Sequence, residues 1–526
     1  MKRSTRREAS APLDDTLHAT DASAAQEAPD VSGPPRRRRL FQDPAKLAAN
    51  AVPDPAGMAA GETAPWDVPG TRLRASSSKG ARGWYAPSAK GAPSTTRQAE
   101  ILNTALIGPP TGTDGIVNGR DMLSRTTISH DAFTAYNAEP RRITSPNCVV
   151  SGSVGKGKSS LTKTLFVLRP LVLERRRAVI FDKKKKGEEG SNGDEGEYAD
   201  VVRRFGAEPI RFSPDAATTR LNLFDPMMVR GGGVAGQVRL LRTVAALANG
   251  GAELTKWENE AVRSAFRRMH ETGTARGRRA AARSTERAFV LTDLLPHLGL
   301  IADDPEYRDL SGAVKEELHR AGVSVRLIFN GLVEEYGGMF DGETSADVDL
   351  QGKVTSFDIS QLPDEGPAVP IVMALGNEWL MGRLQDERGW GTNVIWEEGW
   401  HFIGGPSASL IRSSAKLSRS LGLCNVFVMH KVSDIPEGSP GMSIIQEAQT
   451  IYTFGHDRAE DAAVTGRTFG YAPETVDLLL TLKPGHFVFK YGSQPETHVR
   501  HVRSGWETAV TNTDQAIAAM QHVRAS

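Results

Sequence analysis

The chain has 526 residues, and its 64 Lys and Arg against 63 Asp and Glu leave a formal net charge of +1. That excludes a uniformly basic nucleic-acid coat and confines any nucleic-acid contact to local patches, while the length allows more than one domain. Cys148 and Cys424, the only two cysteines, each lie in an apolar run that reads as a buried strand, so a reducing cytoplasm is expected and no disulfide framework is indicated. No stretch approaches the roughly 18 to 20 apolar residues that span a bilayer, and the basic start Met1-Lys2-Arg3-Ser4-Thr5-Arg6-Arg7 leads into no apolar segment. Any attachment to a membrane is therefore assigned to other subunits.

Residues 1–90 are rich in Ala, Pro, Gly, Ser and charge and poor in aromatic and β-branched side chains. Such a composition cannot offset its ordering entropy by burial and predicts a disordered arm. Its run Pro34-Pro35-Arg36-Arg37-Arg38-Arg39 reads either as a solvated basic cluster or as a contact for phosphates or acidic lipid. From Thr95 apolar residues recur periodically, and 91–142 is expected to form a short segment packed on the domain that begins at Ile143.

Ile143-Thr144-Ser145-Pro146-Asn147-Cys148-Val149-Val150 predicts a buried strand running into a glycine loop. Ser160 to Leu173 then reads as a helix and Ala178-Val179-Ile180-Phe181-Asp182 as a second strand, in βαβ order. Residues 143–232 thus make the first part of an α/β domain. Over 233–335 the period is helical, with Val234, Val238, Leu241, Val244 and Ala245 on one face and later Trp257, Ala261, Ala265 and Phe266, which predicts an all-α insertion. Strand signals resume at Lys353-Val354-Thr355-Ser356-Phe357-Asp358-Ile359, Thr392-Asn393-Val394-Ile395-Trp396 and Asn425-Val426-Phe427-Val428-Met429, so 336–526 completes the domain. The architecture implied is a doubly wound α/β fold interrupted by helices.

The chemistry concentrates in three places. Gly152-Ser153-Val154-Gly155-Lys156-Gly157-Lys158-Ser159 matches G-x-x-x-x-G-K-[ST] completely, with a strand before it and a helix after it. The glycines let backbone N–H groups turn toward the phosphates of ATP, the helix that starts here with Ser160 in its first turn aims its positive end at them, Lys158 reaches the β and γ phosphates, and Ser159 ligates Mg²⁺. The second place is Glu397-Glu398 after the strand ending at Trp396, where α/β sheets gather ligand groups. A motor needs one carboxylate for the Mg²⁺ shell, assigned to Glu397, and another to polarise the attacking water, assigned to Glu398. The third is Arg419 ahead of the strand that ends at Met429 and His430. Arg419 reads either as a surface ion-pairing residue or as a guanidinium supplied to a neighbouring subunit, and His430 either as a γ-phosphate sensor or as a hydrogen-bonded strand-end histidine. Asp182 with Lys183-Lys184-Lys185-Lys186 lines the nucleotide edge, lines a DNA channel, or forms a solvated loop. Arg276, Arg278, Arg279, Arg283 and Arg287 in the insertion are equally open.

The order of these motifs resembles the TraC-type conjugation ATPases of type IV secretion systems, within the FtsK/HerA group of RecA-like P-loop motors. The resemblance covers about 95–515. It rests on Ile143 to Asn147 before the loop, Asp182 with Gly196-Glu197-Tyr198, and Phe205-Gly206-Ala207-Glu208-Pro209-Ile210. Further along it takes in Leu221-Asn222-Leu223-Phe224-Asp225-Pro226, Gly338-Met339-Phe340-Asp341, Phe357-Asp358-Ile359-Ser360, Glu397-Glu398-Gly399-Trp400, and the late Trp506-Glu507-Thr508 with Thr513-Asp514. It implies a RecA-like ATPase domain carrying the all-α insertion and preceded by the disordered arm. It also implies a homo-hexamer powered by ATP with Mg²⁺, acting on DNA or protein beside membrane channel subunits at the cytoplasmic face of an export channel. Three departures stand out: Glu397 where the family has Asp, Met429-His430 where it often has Thr-Gln, and no large folded N-terminal domain. A HerA-like DNA-processing translocase and a weakly hydrolysing ATP-binding scaffold are the competing expectations.

Overall fold

The computed structural model describes residues 114–185, 195–214, 219–230, 232–280, 288–300, 304–350, 352–403 and 405–511. The arm expected over 1–90, with Arg36 to Arg39, lies outside the described residues, as do Lys186, Arg283 and Arg287.

Among the described residues one sheet holds the strands β1 (Val117–Asp121), β2 (Thr127–Ser129), β3 (Cys148–Ser151), β4 (Arg176–Asp182), β5 (Ile210–Arg211) and β6 (Val354–Asp358). It continues with β7 (Gly391–Trp396), β8 (Leu423–Met429), β9 (Thr450–Phe454), β10 (His486–Tyr491) and β11 (Thr497–His501). The spatial order is β2-β1-β11-β10-β9-β3-β8-β7-β4-β6-β5. From β9 across β3 to β5 every pairing is parallel, and from β9 outward through β10, β11, β1 and β2 every pairing is antiparallel.

The parallel half explains its own sequence. Strands covered on both faces read as near-continuous apolar runs, and β3, β6 and β8 are buried at every position. The period of two then sends Val149, Val179, Phe181, Val394, Trp396 and Phe427 into one core and Cys148, Val150, Ala178, Ile180, Ile395 and Val426 into the other. The first core also takes the apolar stripes of the helices Gly233–Ala248, Lys256–Ala280, Gly312–Phe340 and Ala368–Asp386, through Val238, Leu241, Val262, Phe266, Val325, Phe329 and Ile371. The helical run expected over 233–335 thus shares a core with the sheet, and its last helix extends to Phe340. Phe181 stacks between Trp396 at 4.2 Å and Phe357 at 4.9 Å, pairs worth about 0.5–1.5 kcal/mol each beyond their burial.

The helix after the glycine loop lies where it is expected, over Ser160 to Leu173, but begins slightly earlier and is not one regular α-helix. It runs Lys158–Thr162, widens into a π turn at Lys163–Leu168 and tightens into a 3₁₀ turn at Pro170–Val172. Arg169 N donates to Thr164 O at 3.0 Å, closing the wider turn just before Pro170, which has no N–H to continue the ladder. The Arg169 side chain then clasps Glu507 through two nitrogens at 2.7 and 3.0 Å. This fixes the last described helix, Gly505–Thr511, against the loop helix. The Sγ atoms of Cys148 and Cys424, side by side on β3 and β8, are 3.6 Å apart and both are free thiols. No described helix is long and apolar enough to cross a membrane.

Candidate functional site

The glycine loop leaves the carboxyl end of β3, and β7, β8 and β4 end beside it because all four run parallel. Gly152 has φ +138° and a Cβ there would lie 2.6 Å from Phe454 Cβ, so only glycine makes this turn. On the far side the loop is braced by backbone: Ser153 N donates to Gly455 O at 3.0 Å and Gly485 N to Lys156 O at 2.9 Å. Asp457 adds its N–H to Ser153 Oγ at 3.1 Å and a carboxylate contact to Lys156 Nζ at 2.8 Å. Val154 and Gly155 form the exposed tip. Ser160 turns its hydroxyl onto Thr511 O at 3.3 Å, so its side chain faces the last helix and only its backbone is left for a ligand at the loop.

Lys158, Ser159, Glu397, Glu398 and His430 converge from the loop, β7 and β8. Lys158 is 4% exposed, and its Nζ donates to Gly152 O at 2.6 Å, Ser153 O at 2.8 Å and His430 Nδ1 at 3.0 Å. Burial, then the nearby Lys184 ammonium, lowers the Lys158 amine to about 7. His430 Nε2 lies 2.8 Å from Glu398 Oε1. The partners assign the tautomer: Nδ1 accepts from Lys158 and Nε2–H donates to Glu398. Trp400 Nε1 donates to Glu398 Oε2 at 3.1 Å. Burial pushes the Glu398 carboxyl up, but His430, Lys184 and Trp400 outweigh it and hold the group at about 2. Glu398 also carries φ +51°, a left-handed conformation that costs a non-glycine residue of order 1 kcal/mol or more and recurs at functional sites.

Glu397 is 0% exposed. Its Oε1 accepts from Tyr198 OH at 2.6 Å, while Oε2 has no hydrogen-bond partner and lies 3.3 Å from Lys184 Nζ. The same ammonium is 3.4 Å from Ser159 Oγ and 3.5 Å from Glu398 Oε1. Three oxygens from three side chains thus surround a positive charge, and hydroxyl plus carboxylate is a donor set suited to Mg²⁺. Among the described residues no group of three or more His, Cys, Asp and Glu side chains gathers to hold a metal. Ser159 and Glu397 are placed so that they could hold a Mg²⁺ ion, which would draw the rest of its shell from phosphate and water oxygens.

Beside this site Asp182 and Asp358 end the paired strands β4 and β6. Burial and then Asp358 push the Asp182 carboxyl well above its ordinary range. The returning chain seats on the pair: Gly196 N donates to Asp358 Oδ2 at 3.0 Å and Tyr198 N to Asp182 Oδ2 at 2.8 Å. A Cβ at Gly196 would lie 2.2 Å from Asp182 Oδ2, which explains a glycine two residues before Tyr198.

Arg419 is elsewhere. It is exposed in the last turn of the helix Ala408–Leu421, at the amino end of β8. The length of Leu423–Met429, at ~3.3 Å per residue, puts it roughly 20 Å from the site edge of its own chain.

No family model and no curated protein sequence matches the chain. Among solved structures, VirB4 of Thermoanaerobacter pseudethanolicus superposes with a TM-score of 0.59 at 17% identity, over 76% of this chain and 98% of that one. This chain has the fold of that VirB4. The bacterial conjugative coupling protein TrwB, in its unbound monoclinic form, gives a TM-score of 0.46 at 16% identity over 74% of this chain and 88% of its own. TrwB with ADP and Mg²⁺ gives 0.45 at 17% identity over 74% and 91%.

Sequence reasoning placed the loop and the acidic pair, left Lys184 open between the nucleotide edge, a DNA channel and a solvated loop, and gave Tyr198 no role. Lys183 points away, to Leu362 O at 3.0 Å and Asp364 at 2.6 Å, while Lys184 points in. Extended backbone alternates sides, and that alternation after β4 was the available signal.

Proposed function

We propose that the chain is an ATP-hydrolysing motor that powers DNA or protein transfer in conjugation or type IV secretion, working as a homo-hexamer beside membrane channel subunits. One observation carries the ATPase part. Two pairs distant from each other in sequence, Lys158-Ser159 and Glu397-Glu398, meet within one ring of contacts through Lys184 and His430. The transfer part rests on the motif order and on the VirB4 fold.

In this reading the ammonium of Lys158 leaves the carbonyls of Gly152 and Ser153 for the β and γ phosphates. Bound Mg²⁺ supplies charge neutralisation across the phosphate oxygens. Glu397 holds that shell, with Tyr198 fixing the carboxylate by its hydroxyl. Glu398, kept ionised by His430 and Trp400, orients and polarises the attacking water. His430 touches both Lys158 and Glu398, so movement of either is felt by the other, which suits a γ-phosphate sensor.

Arg419 sits too far from its own loop to act there, so we assign it to the adjoining subunit. Arg419→Ala protein mixed with Lys158→Ala protein regains part of the ATPase lost by each alone, because one interface joins an intact loop to an intact guanidinium. Full activity of Arg419→Ala by itself removes it from the mechanism.

The test of the whole reading is Mg²⁺-dependent ATP turnover by purified protein, with plasmid transfer in cells scored in parallel. Nucleotide binding without turnover favours the scaffold, and turnover without any effect on transfer favours a DNA-processing translocase.

A further inference from the structure

The Lys184 side chain leaves a fixed backbone. Glu197 N donates to Lys184 O at 2.9 Å, and the next residue, Lys185, pairs with Gly196 as an isolated bridge. Gly196 and Tyr198 are themselves seated on Asp358 and Asp182. From this anchored strand end Lys184, with 19% of its side chain exposed, reaches Ser159 Oγ, Glu397 Oε2 and Glu398 Oε1. Glu397 Oε2 is buried, lacks a hydrogen bond, and has this ammonium as its ion-pair partner. Burial opposes the charge on Lys184, but Glu397, Glu398 and Glu197 raise its amine above the ordinary lysine range.

We propose that Lys184 is a built-in counter-cation that occupies the Ser159–Glu397–Glu398 site in the absence of metal and is displaced from it when Mg²⁺ enters beside bound nucleotide. The inference rests on the ATPase reading above and adds a residue to it. A buried carboxylate pair left bare repels a polyphosphate, so the tethered ammonium lets nucleotide approach before metal arrives. The same ammonium competes with Mg²⁺ for these oxygens, and a site that is free only part of the time shows a proportionally weaker apparent affinity.

The two effects have opposite signs, which separates this role from a plain phosphate contact. A fluorescent, slowly hydrolysed ATP analogue is titrated onto wild type and Lys184→Met in EDTA, and Mg²⁺ is then titrated at fixed analogue. In EDTA, Lys184→Met is expected to bind the analogue at least about 10-fold more weakly than wild type, while half-saturation by Mg²⁺ falls at least about 10-fold. An unchanged Mg²⁺ midpoint, or equal weakening with and without metal, overturns the inference. Should Lys184→Met fail to fold by circular dichroism, Lys184→Arg carries the test. A retained cation keeps the Mg²⁺ midpoint at or above that of wild type, and a midpoint below it overturns the inference. Wild type that binds no analogue under either condition overturns the ATPase reading itself, a result distinct from all of these.

Discussion

The glycine loop has two flanks held by different physics. Toward β7 and β8 it meets charge: Lys158, His430, Glu398, Lys184 and Glu397 contact one another through atoms that burial has made costly to leave unpaired. Toward β9 and β10 it meets backbone: Gly455 and Gly485 hold Ser153 and Lys156 by peptide hydrogen bonds, the Asp457 N–H donates to the Ser153 hydroxyl, and the ion pair with Lys156 has an Asp457 side chain 64% exposed. The first flank can rearrange around a ligand because its bonds are between side chains. The second cannot move without breaking the turn. The parallel strands β4, β7 and β8 therefore place the charged side chains, and the ends of β9 and β10 hold the loop's backbone.

Breaking the charged flank has the largest expected effect. Lys158→Ala lowers ATP hydrolysis to background with the fold unchanged by circular dichroism, because the ammonium there is bonded to loop carbonyls and one imidazole rather than to the core. Turnover near that of wild type would sink the loop assignment. Glu398→Gln comes next, with turnover slowed roughly 100-fold to 10,000-fold and ATP retained in the site, whereas Glu397→Gln shifts the Mg²⁺ dependence. The reverse pattern in a turnover assay across Mg²⁺ concentrations exchanges the two roles.

On the braced flank, Gly152→Ala meets both a left-handed φ and Phe454. Thermal or denaturant unfolding should show a loss of about 1–3 kcal/mol, accompanied by weaker nucleotide binding. A variant as stable as wild type would mean that the loop is not pinned against β9.

The charged flank also titrates. Lys158 in the free protein has been lowered from 10.5 to about 7, so at pH 8 the amine is largely neutral, and arriving phosphates restore its proton. Nucleotide affinity should therefore fall as pH rises above about 7, with uptake of roughly one proton at pH 8 that Lys158→Met abolishes. Calorimetry in buffers of different ionisation heat measures this. For stability without nucleotide the sign is opposite: between about 7 and 10.5 the unfolded chain binds more protons than the folded one, so this group favours folding as pH rises.

The smallest effect is expected from Asp457→Asn. The exposed Lys156 pair is lost but the Asp457 N–H to Ser153 Oγ stays, so turnover should change less than about 2-fold. A larger loss would show that the braced flank also depends on charge.

Local pattern was enough for some parts of this protein. Strands β3, β4, β6, β7 and β8 share buried, apolar stretches that identify them as covered on both faces, and the spacing from Gly152 to Ser159 names a phosphate loop without reference to anything distant. The acidic pair was legible because it comes directly after such a strand. The remainder depended on which chain segments become neighbours. The short β1 and β2 join the sheet only through β11, a contact spanning nearly the whole described chain, and no local period encodes it. The π turn at Lys163–Leu168 looks like ordinary helix in sequence. Arg419 reads as close to the sensor strand, yet that strand's length carries it to the opposite edge of the sheet. Lys184 is one of four consecutive lysines, and what separates it from Lys183 is the side of an extended backbone it leaves by and the buried Glu397 oxygen waiting there. Composition and spacing determined the strands β3, β4, β6, β7 and β8 and the loop, since those depend on residues a few positions apart. Tertiary structure decided the partners of each charge, because pairing in a buried site is set by distance in space and by the cost of leaving a charge unpaired.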